Sequence, residues 1–343
     1  MKAAHRFRLS VIVPCYNEQE VIAETHARLM HVLGDQPDFD LEIVYVNDGS
    51  RDETEATLNG FAEADRRVTV ISFTRNFGHQ PALTAGLEYA TGDVVAAIDG
   101  DLQDPPEVIL EMLVKWREGF DVVYGVRSKR KEGLPKRLAY NAFYRIFGML
   151  ANIDVHLDSG DFAVMDRRVV DVINSLPERN RFVRGLRAWA GFRQTGCVYE
   201  RAARRAGQSK YPFLKLLKLA FDGIFNFSTA PLSLIFLLGL LTAILSMLAG
   251  SVYFVARVFG FSVFGQPPGD VPGFTTLILT LLFFSGVQLI SIGILGEYLG
   301  RIYQETKMRP AYVVRSVRGG LVAPRDKPRT ACRVRQPAND TMV

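Results

Sequence analysis

The chain has 343 residues, a formal net charge of +5 at pH 7 and 48% hydrophobic residues. This length exceeds the usual size of one domain, so we expect a folded domain and a second structural unit. No recognised nucleic-acid module accompanies the positive charge, and we expect no nucleic-acid partner. The three cysteines, Cys15, Cys197 and Cys332, lack metal or disulfide spacing and suit a reducing compartment.

Short apolar runs alternate with helical segments in the first part of the chain. Strands are predicted at residues 8–13, 41–46, 68–73, 94–98 and 121–126, and helices at 20–33, 52–64, 81–90 and 107–118. Strands that alternate with helices at this spacing predict an α/β fold with a doubly wound, mostly parallel sheet. No G-x-G-x-x-G pattern follows the first strand, which argues against a dinucleotide-binding dehydrogenase.

An acidic stretch follows the strand predicted at residues 94–98. Ligands of open α/β sheets bind at the carboxyl ends of the strands, so chemistry is expected here. Asp99, Asp101 and Gln103 place oxygen ligands at alternate positions, a set suited to Mg²⁺ or Mn²⁺ that also holds phosphate oxygens. The alternative is an acidic turn that caps the helix beginning at Glu107.

Four motifs occur in a fixed order before residue 110. They are residues 11–18 (VIVPCYNE), 46–50 (VNDGS), 75–78 (RNFG) and 99–107 (DGDLQDPPE). Together they resemble the nucleotide-sugar glycosyltransferases of the GT-A fold. The last motif is similar to that of the polyprenyl-phosphate branch, which includes dolichyl-phosphate mannose synthase and bacterial bactoprenol glucosyltransferases. The resemblance extends through residues 296–301 (GEYLGR) and therefore covers nearly the whole chain.

The resemblance implies a site for a nucleotide-sugar donor. The residues that would contact the donor are Pro14, Tyr16, Glu18, Asp48, Arg75, Asp99, Arg204, Ser209, Lys210 and Tyr211. Asp48 would accept from the ring N–H of the base, although residues 47–50 are also typical of a simple turn and helix cap. The loop at residues 207–211 would close over the diphosphate, or is only a basic linker. His79 is expected to lie outside the site, because a single histidine is more often structural.

The acceptor implied by the resemblance is a polyprenyl phosphate, which requires basic partners. The candidates follow the strand at residues 121–126 and are Arg127, Arg130, Lys136 and Arg137; the alternative is a solvated charged face. Asp161 matches the second acidic motif of the family, near the acceptor and the sugar C1. Related sequences often carry Arg where Ala163 stands, so one contact is absent or supplied elsewhere. Asp166 is expected to cap a helix at residues 167–175.

Two uncharged stretches, residues 229–256 and 271–296, exceed the roughly 20 residues needed to span a bilayer. Residues 257–270 between them carry one Arg and no Lys, whereas both outer flanks are basic. The positive-inside rule then predicts a bacterial inner-membrane protein whose catalytic domain and termini are cytoplasmic. Residues 212–228 have the spacing of an amphipathic helix that contacts membrane lipids. Small residues within the spans suit packing into a homo-oligomer.

These observations predict four regions: a catalytic domain at 1–211, an interfacial helix at 212–228, two membrane helices within 229–298 and a basic tail at 299–343. The predicted reaction is the inverting transfer of a sugar from UDP-glucose or a related UDP-hexose to undecaprenyl phosphate. Asp99, Asp101 and Asp161 are the predicted catalytic residues, and Asp101 and Gln103 the metal ligands. The alternatives are a mannosyltransferase that uses GDP-mannose and a non-catalytic membrane scaffold.

Overall fold

The computed structural model describes residues 6–127, 159–179, 181–200, 230–261, 274–320 and 331–333. The chain divides into two compact units. The first comprises Met1–Arg145, Ile153–Lys210 and Met308–Val343, and the second comprises Ile146–Asn152 and Tyr211–Lys307. The first unit therefore takes up the chain again after the long apolar segment.

The first unit is built on a mixed sheet. Its described strands are β1 (Phe7–Cys15), β2 (Phe39–Asn47), β3 (Val68–Phe73), β4 (Val94–Ala97), β5 (Val122–Arg127), β6 (Ser159–Asp166), β7 (Gln194–Tyr199), β8 (Tyr312–Gly319) and β9 (Ala331–Arg333). Their order is β7-β5-β6-β4-β1-β2-β3-β8-β9. The pairs of β1 with β2 and β4, β2 with β3, β5 with β7 and β8 with β9 are parallel. β6 is antiparallel to both its neighbours, and β8 is antiparallel to β3. The mostly parallel α/β prediction is confirmed.

Helices cover both faces of the sheet. They are α1 (Ile22–Leu33), α2 (Thr54–Ala64), α3 (His79–Tyr89), α4 (Glu107–Arg117), α5 (Arg167–Ser175) and α6 (Val183–Trp189). Ile43 and Tyr45 of β2 belong to one core cluster with residues of α1 and α4, whereas Val44 and Val46 belong to a second cluster with residues of α3. Burial on both faces explains the continuous apolar run of this strand.

The predicted cap of α5 is present. The Asp166 side chain accepts a hydrogen bond from the Arg168 N–H at 3.1 Å. Its second carboxylate oxygen accepts from the Trp116 indole N–H of α4 at 3.0 Å. Asp166 therefore begins α5 and also joins it to α4.

The region predicted as a basic tail contains strand β8, which the sequence analysis did not predict. Tyr312 and Val314 of β8 are buried, and the Tyr312 ring stacks on Phe73 with 4.8 Å between ring centroids. The Arg318 guanidinium lies 3.5 Å from the Glu63 carboxylate of α2. Residues of β8 therefore pack on the core, while its exposed arginines contact acidic groups of α2.

The second unit contains two long helices, α7 (Ala230–Phe259) and α8 (Phe274–Thr306). Both are long and apolar enough to cross a membrane by length and composition, over Pro231–Ala256 and Phe283–Thr306. α8 continues past the predicted span, and Arg301 pairs with Glu297 one turn earlier at 2.9 Å. The predicted interfacial helix at 212–228 lies outside the described residues.

Candidate active site

The strand ends bring the sequence motifs to one edge of the sheet. β1 to β5 and β7 run in the same direction, so their carboxyl ends meet there, and antiparallel β6 brings its amino end to the same edge. Ala97 of β4 pairs with Ala163 of β6. Continuing this register by two residues sets Asp99 opposite Asp161. Two acidic motifs that lie far apart in the sequence are therefore neighbours.

Hydrogen bonds join the loops that follow β1 and β2. The Asn17 N–H donates to the Ser50 hydroxyl oxygen at 3.0 Å, and the Arg51 N–H donates to the Asn17 side-chain oxygen at 2.9 Å. The Glu18 N–H donates to the Thr54 hydroxyl oxygen at 2.8 Å. Asn17 has a φ of 54°, a left-handed conformation that asparagine tolerates better than most residues. This part of the predicted donor site is held in place by the protein itself.

Asp48 joins the loop after β2 to the loop after β3. Its two carboxylate oxygens accept from the N–H groups of Phe77 and Gly78 at 2.6 and 2.9 Å. Burial raises the pKa of Asp48, although these two N–H donors oppose the shift. Gly49 has a φ of 65°, and a Cβ on it would lie 2.4 Å from the carbonyl carbon of Arg75. A residue with a side chain does not fit here.

The loop after β4 has an unusual backbone. Leu102 has a φ of 58° and is buried, a combination that is rare for a bulky residue and that clusters at functional sites. The Gln103 N–H donates to Asp101 Oδ1 at 3.1 Å, and the Thr25 hydroxyl of α1 donates to the Gly100 carbonyl at 2.8 Å. The protein therefore fixes the path of the segment that carries the predicted metal ligands.

The negative charges of several carboxylates repel one another beside this loop. Burial raises the pKa of Asp99 to about 6, and the charges of Asp104, Asp161 and Asp101 add to the increase, while His79 opposes it. No group of three or more His, Cys, Asp or Glu within the described ranges is already arranged as a metal site. The oxygen donors are of the type that Mg²⁺ and Mn²⁺ prefer, and a cation would offset the repulsion among the carboxylates. These residues therefore fit a hard divalent metal.

His79 lies inside the site, contrary to the sequence prediction. Its Nε2 is 3.6 Å from Asp99 Oδ1 and 3.5 Å from Asp161 Oδ2. The Gln80 side chain also donates to Asp161 Oδ2, at 3.0 Å. Their position in the sequence could have indicated that His79 and Gln80 are in the site, because both directly follow the 75–78 motif and begin α3. The pairing of β4 with β6, which the sequence did not reveal, is what brings the two aspartates to them.

α6 contributes a buried cation that the sequence analysis also missed. Arg187 is buried, and its guanidinium lies 5.4 Å from the centre of the Tyr124 ring. Burial lowers the pKa of Arg187 to about 10, and the charge of Asp161 opposes this decrease. The positive charge of Arg187 therefore acts on Asp161 from the protein interior, on the side of α6.

Arg127 is at the end of β5, as expected, but it already has a protein partner. It hydrogen-bonds to Tyr199, which is opposite it in the β5–β7 pairing. The Tyr199 hydroxyl in turn donates to the buried carboxylate of Asp104. Burial opposes ionisation of Arg127, but Tyr199 and the charges of Asp104 and Asp99 raise its pKa. This network joins β5 and β7 to the acidic loop after β4.

The remaining predicted site residues divide into two sets. Pro14 is within β1, and Tyr16 is 41% exposed in the loop that follows it. Arg75 is exposed and lies over the Phe77 ring, 4.1 Å from its centre. The other predicted residues lie outside the described ranges and are Arg130, Lys136, Arg137, Arg204, Ser209, Lys210 and Tyr211.

Comparisons with known proteins show which family this chain resembles. Residues 10–173 match the model of glycosyl transferase family 2. An uncharacterized glycosyltransferase of Bacillus subtilis (strain 168) is 45% identical over 317 residues, covering 92% of this chain and 96% of that protein. The SfII prophage-derived bactoprenol glucosyl transferase of Shigella flexneri is 43% identical over 314 residues, covering 91% and 99%. A mannosyltransferase structure from Pyrobaculum calidifontis, in complex with GDP-Man and Mn²⁺, aligns with a TM-score of 0.42 and 20% identity over 86% of this chain and 88% of that one.

These similarities, at 43% to 45% identity over more than nine tenths of the chain, define a glycosyltransferase with a mixed α/β sheet of the GT-A type. The chain belongs to glycosyl transferase family 2. The predicted family is thereby confirmed.

Proposed function

We propose that this glycosyltransferase moves a hexose from a UDP-sugar, with UDP-glucose the first candidate, to a polyprenyl phosphate such as undecaprenyl phosphate. The observation that supports this most strongly is the 43% identity to a bactoprenol glucosyl transferase over 91% of this chain. The convergence of Asp48, Asp99, Asp101 and Asp161 at one sheet edge agrees with it. The similarity spans the apolar helices as well as the sheet, as expected if the acceptor is a lipid.

The donor nucleoside is proposed to bind at the joined loops after β1, β2 and β3. Pro14, Tyr16 and Glu18 are on the first loop, Asp48 ends the second strand, and Arg75 is on the third loop. The Asp48 oxygens already accept from two backbone groups, but a carboxylate offers about four lone-pair sites, so it can also accept from a base N–H. Hydrogen bonds within the protein hold these loops before the donor arrives, which reduces the entropy lost on binding.

The diphosphate of the donor is proposed to lie beside the acidic loop. Asp101 and Gln103 would hold Mg²⁺ or Mn²⁺, with Asp99 next to them. When bound, the metal supplies positive charge that neutralises the departing diphosphate. Arg204, Ser209, Lys210 and Tyr211 would add further donors to the same phosphates.

Transfer is proposed to occur at Asp161. A phosphate oxygen of the acceptor attacks the sugar C1 while the bond from C1 to the diphosphate oxygen breaks, which inverts the anomeric centre. The second pKa of a phosphate monoester is about 6, so the acceptor is already mostly dianionic at pH 7 and needs no general base. Asp161 is therefore proposed to orient the acceptor or the sugar, while Arg127, Arg130, Lys136 and Arg137 supply positive charge for the acceptor phosphate.

The membrane placement is proposed from α7 and α8. The first unit includes residues both before and after this helix pair in the chain. Two spans return a chain to the side from which it started, so a membrane-crossing pair agrees with a catalytic unit on one side. The excess of basic residues on both flanks favours the cytoplasmic side of a bacterial inner membrane.

The test is transfer of label from radioactive UDP-glucose to undecaprenyl phosphate by membranes that contain the protein. We expect label in the lipid phase with Mg²⁺ or Mn²⁺, and none after chelation or with Asp101→Ala. The matched control is Asp38→Ala, because Asp38 is an exposed aspartate that pairs with Arg117 away from the motifs.

Two other results would change the proposal. Transfer only from GDP-mannose would correct the donor and leave the reaction class intact. If no nucleoside diphosphate sugar is transferred while the nucleotide still binds, the protein is a scaffold that retains the fold.

A further inference from the structure

Gln80 links three elements around the site, although no sequence motif identified it. From the first turn of α3, its Nε2 donates to Asp161 Oδ2 of β6 at 3.0 Å. Its Oε1 accepts from the N–H of Val183, the first residue of α6, at 2.8 Å. A backbone N–H can only donate and an ionised carboxylate can only accept, so these two partners determine which end of the amide faces each of them.

The two carboxylate oxygens of Asp161 have different surroundings. Oδ2 accepts from Gln80 and lies 3.5 Å from His79 Nε2. Oδ1 is buried and has no hydrogen-bond partner among the described residues. A buried polar atom without a partner is rare in native proteins and needs a specific explanation. Oδ1 therefore faces the protein interior, where the charge of buried Arg187 acts on Asp161, and Oδ2 is the oxygen on the side of His79 and Gln80.

We infer that Gln80 is a positioning residue that holds Oδ2 of Asp161, and with it the whole carboxylate, in the orientation that serves the acceptor or the sugar. The identity of that ligand rests on the proposed function, whereas the geometry does not. Anchoring by Val183 keeps the Gln80 amide from rotating, and an amide holds its hydrogen bonds over the whole working pH range because it does not titrate. A carboxylate fixed in this way needs no reorganisation when the ligand arrives.

A purely structural link between α3 and α6 is the alternative role, and Asn174 provides the matched control. Its Nδ2 donates to the Leu87 carbonyl at 3.0 Å and links α5 to α3. Gln80→Met and Asn174→Leu each replace an amide by an apolar side chain of similar size. Gln80→Glu keeps an acceptor for Val183 but places a second carboxylate against Asp161.

The test measures kcat and the donor KM of the purified full-length variants under one assay. We expect Gln80→Met and Gln80→Glu to lower kcat about 10- to 100-fold while the donor KM stays within about threefold of wild type. Asn174→Leu is expected to leave both constants near those of wild type. The inference is overturned if Gln80→Met keeps the wild-type kcat. It is also overturned if Asn174→Leu, at the same loss of thermal stability as Gln80→Met, lowers kcat by as much as Gln80→Met does.

An experimental structure of the Gln80→Met variant tests the geometry without any activity. The expected result is an Asp161 carboxylate rotated away from its position in wild type. An unchanged carboxylate would overturn the inference. If wild type transfers no sugar, the proposed function fails, and this structural comparison still decides the role of Gln80.

Discussion

The loops after β1, β2 and β3 differ from the ends of β4 and β6 in what holds them together. In the first region, backbone N–H groups donate to neutral or carboxylate oxygens at 2.6 to 3.0 Å, as at Asn17 and Asp48. In the second region, His79 lies 3.5 to 3.6 Å from two aspartates, and one Asp161 oxygen has no partner within the described residues. The first region is complete without a ligand, and the second gathers negative charge that a ligand or metal would balance.

This difference indicates separate tasks for the two regions. Residues of the first region are expected to govern loop stability and donor affinity. Residues of the second are expected to govern turnover. Substitutions in either region that lower donor affinity and turnover equally would contradict the comparison.

Among the substitutions that compare the two regions, the largest expected effect is on turnover in Asp161→Asn. We expect kcat to fall by about 10²- to 10³-fold, because the substitution removes the carboxylate charge beside the reacting atoms. The loss should be the same at pH 6 and pH 8, because orienting the acceptor or the sugar does not depend on whether the acceptor phosphate is protonated. Measuring kcat at both pH values checks this, and recovery at pH 8 would show that Asp161 acts as a base.

The next largest effect is the loss of stability in Asp48→Ala. The substitution leaves the N–H groups of Phe77 and Gly78 without their acceptors, and each unsatisfied buried donor costs about 1–3 kcal/mol. We expect the free energy of unfolding to fall by about 2–4 kcal/mol in urea titrations. Asp48→Asn retains one acceptor and should lose about half as much; an Asp48→Ala variant as stable as wild type would contradict the structure.

Gly49→Ala tests the close approach of two loops. A methyl group at φ 65° would meet the backbone of Arg75 at 2.4 Å, so the loops must separate. We expect a loss of about 1–3 kcal/mol of stability and a higher donor KM with little change in kcat. Gly60→Ala is the control, because nothing lies within 4 Å of the added Cβ in α2. That variant should gain about 0.5–1 kcal/mol, and equal behaviour of the two would refute the strain argument.

The smallest effect concerns the chemical reactivity of Cys15, which ends β1 beneath the donor loops. Burial raises the pKa of its thiol, and the charges of Glu18 and Asp99 add to the increase. The thiolate is the reactive form, so at pH 8 a smaller fraction reacts than in a free cysteine. In a Cys197→Ser, Cys332→Ser variant, we expect slow alkylation when folded and fast alkylation in denaturant, as followed by mass spectrometry. Fast alkylation of the folded variant would show that the region opens.

The parts of the fold that local sequence determines were predicted well. Strand β3 at 68–73, the α5 helix and its Asp166 cap follow from apolar runs and capping chemistry within a few residues. β8 was missed because its short apolar alternation is mixed with arginines, and its acidic partners on α2 are far away in the sequence.

The candidate site likewise contains residues that the local sequence identified and residues that it did not. Asp99, Asp101 and Asp161 were recognisable because they occur in motifs. His79, Gln80 and Arg187 were not, because their roles depend on the pairing of β4 with β6 and on the packing of α3 and α6. No local pattern encodes those contacts.

The most direct test of the two-region account compares nucleotide binding and turnover in Asp48→Asn and Asp161→Asn. Isothermal titration with UDP and the transfer assay would be run on the same purified proteins. The account predicts that Asp48→Asn weakens UDP binding by about tenfold, since it removes one charged acceptor, whereas Asp161→Asn binds UDP as wild type does and loses turnover. Equal loss of UDP affinity in both variants would contradict it.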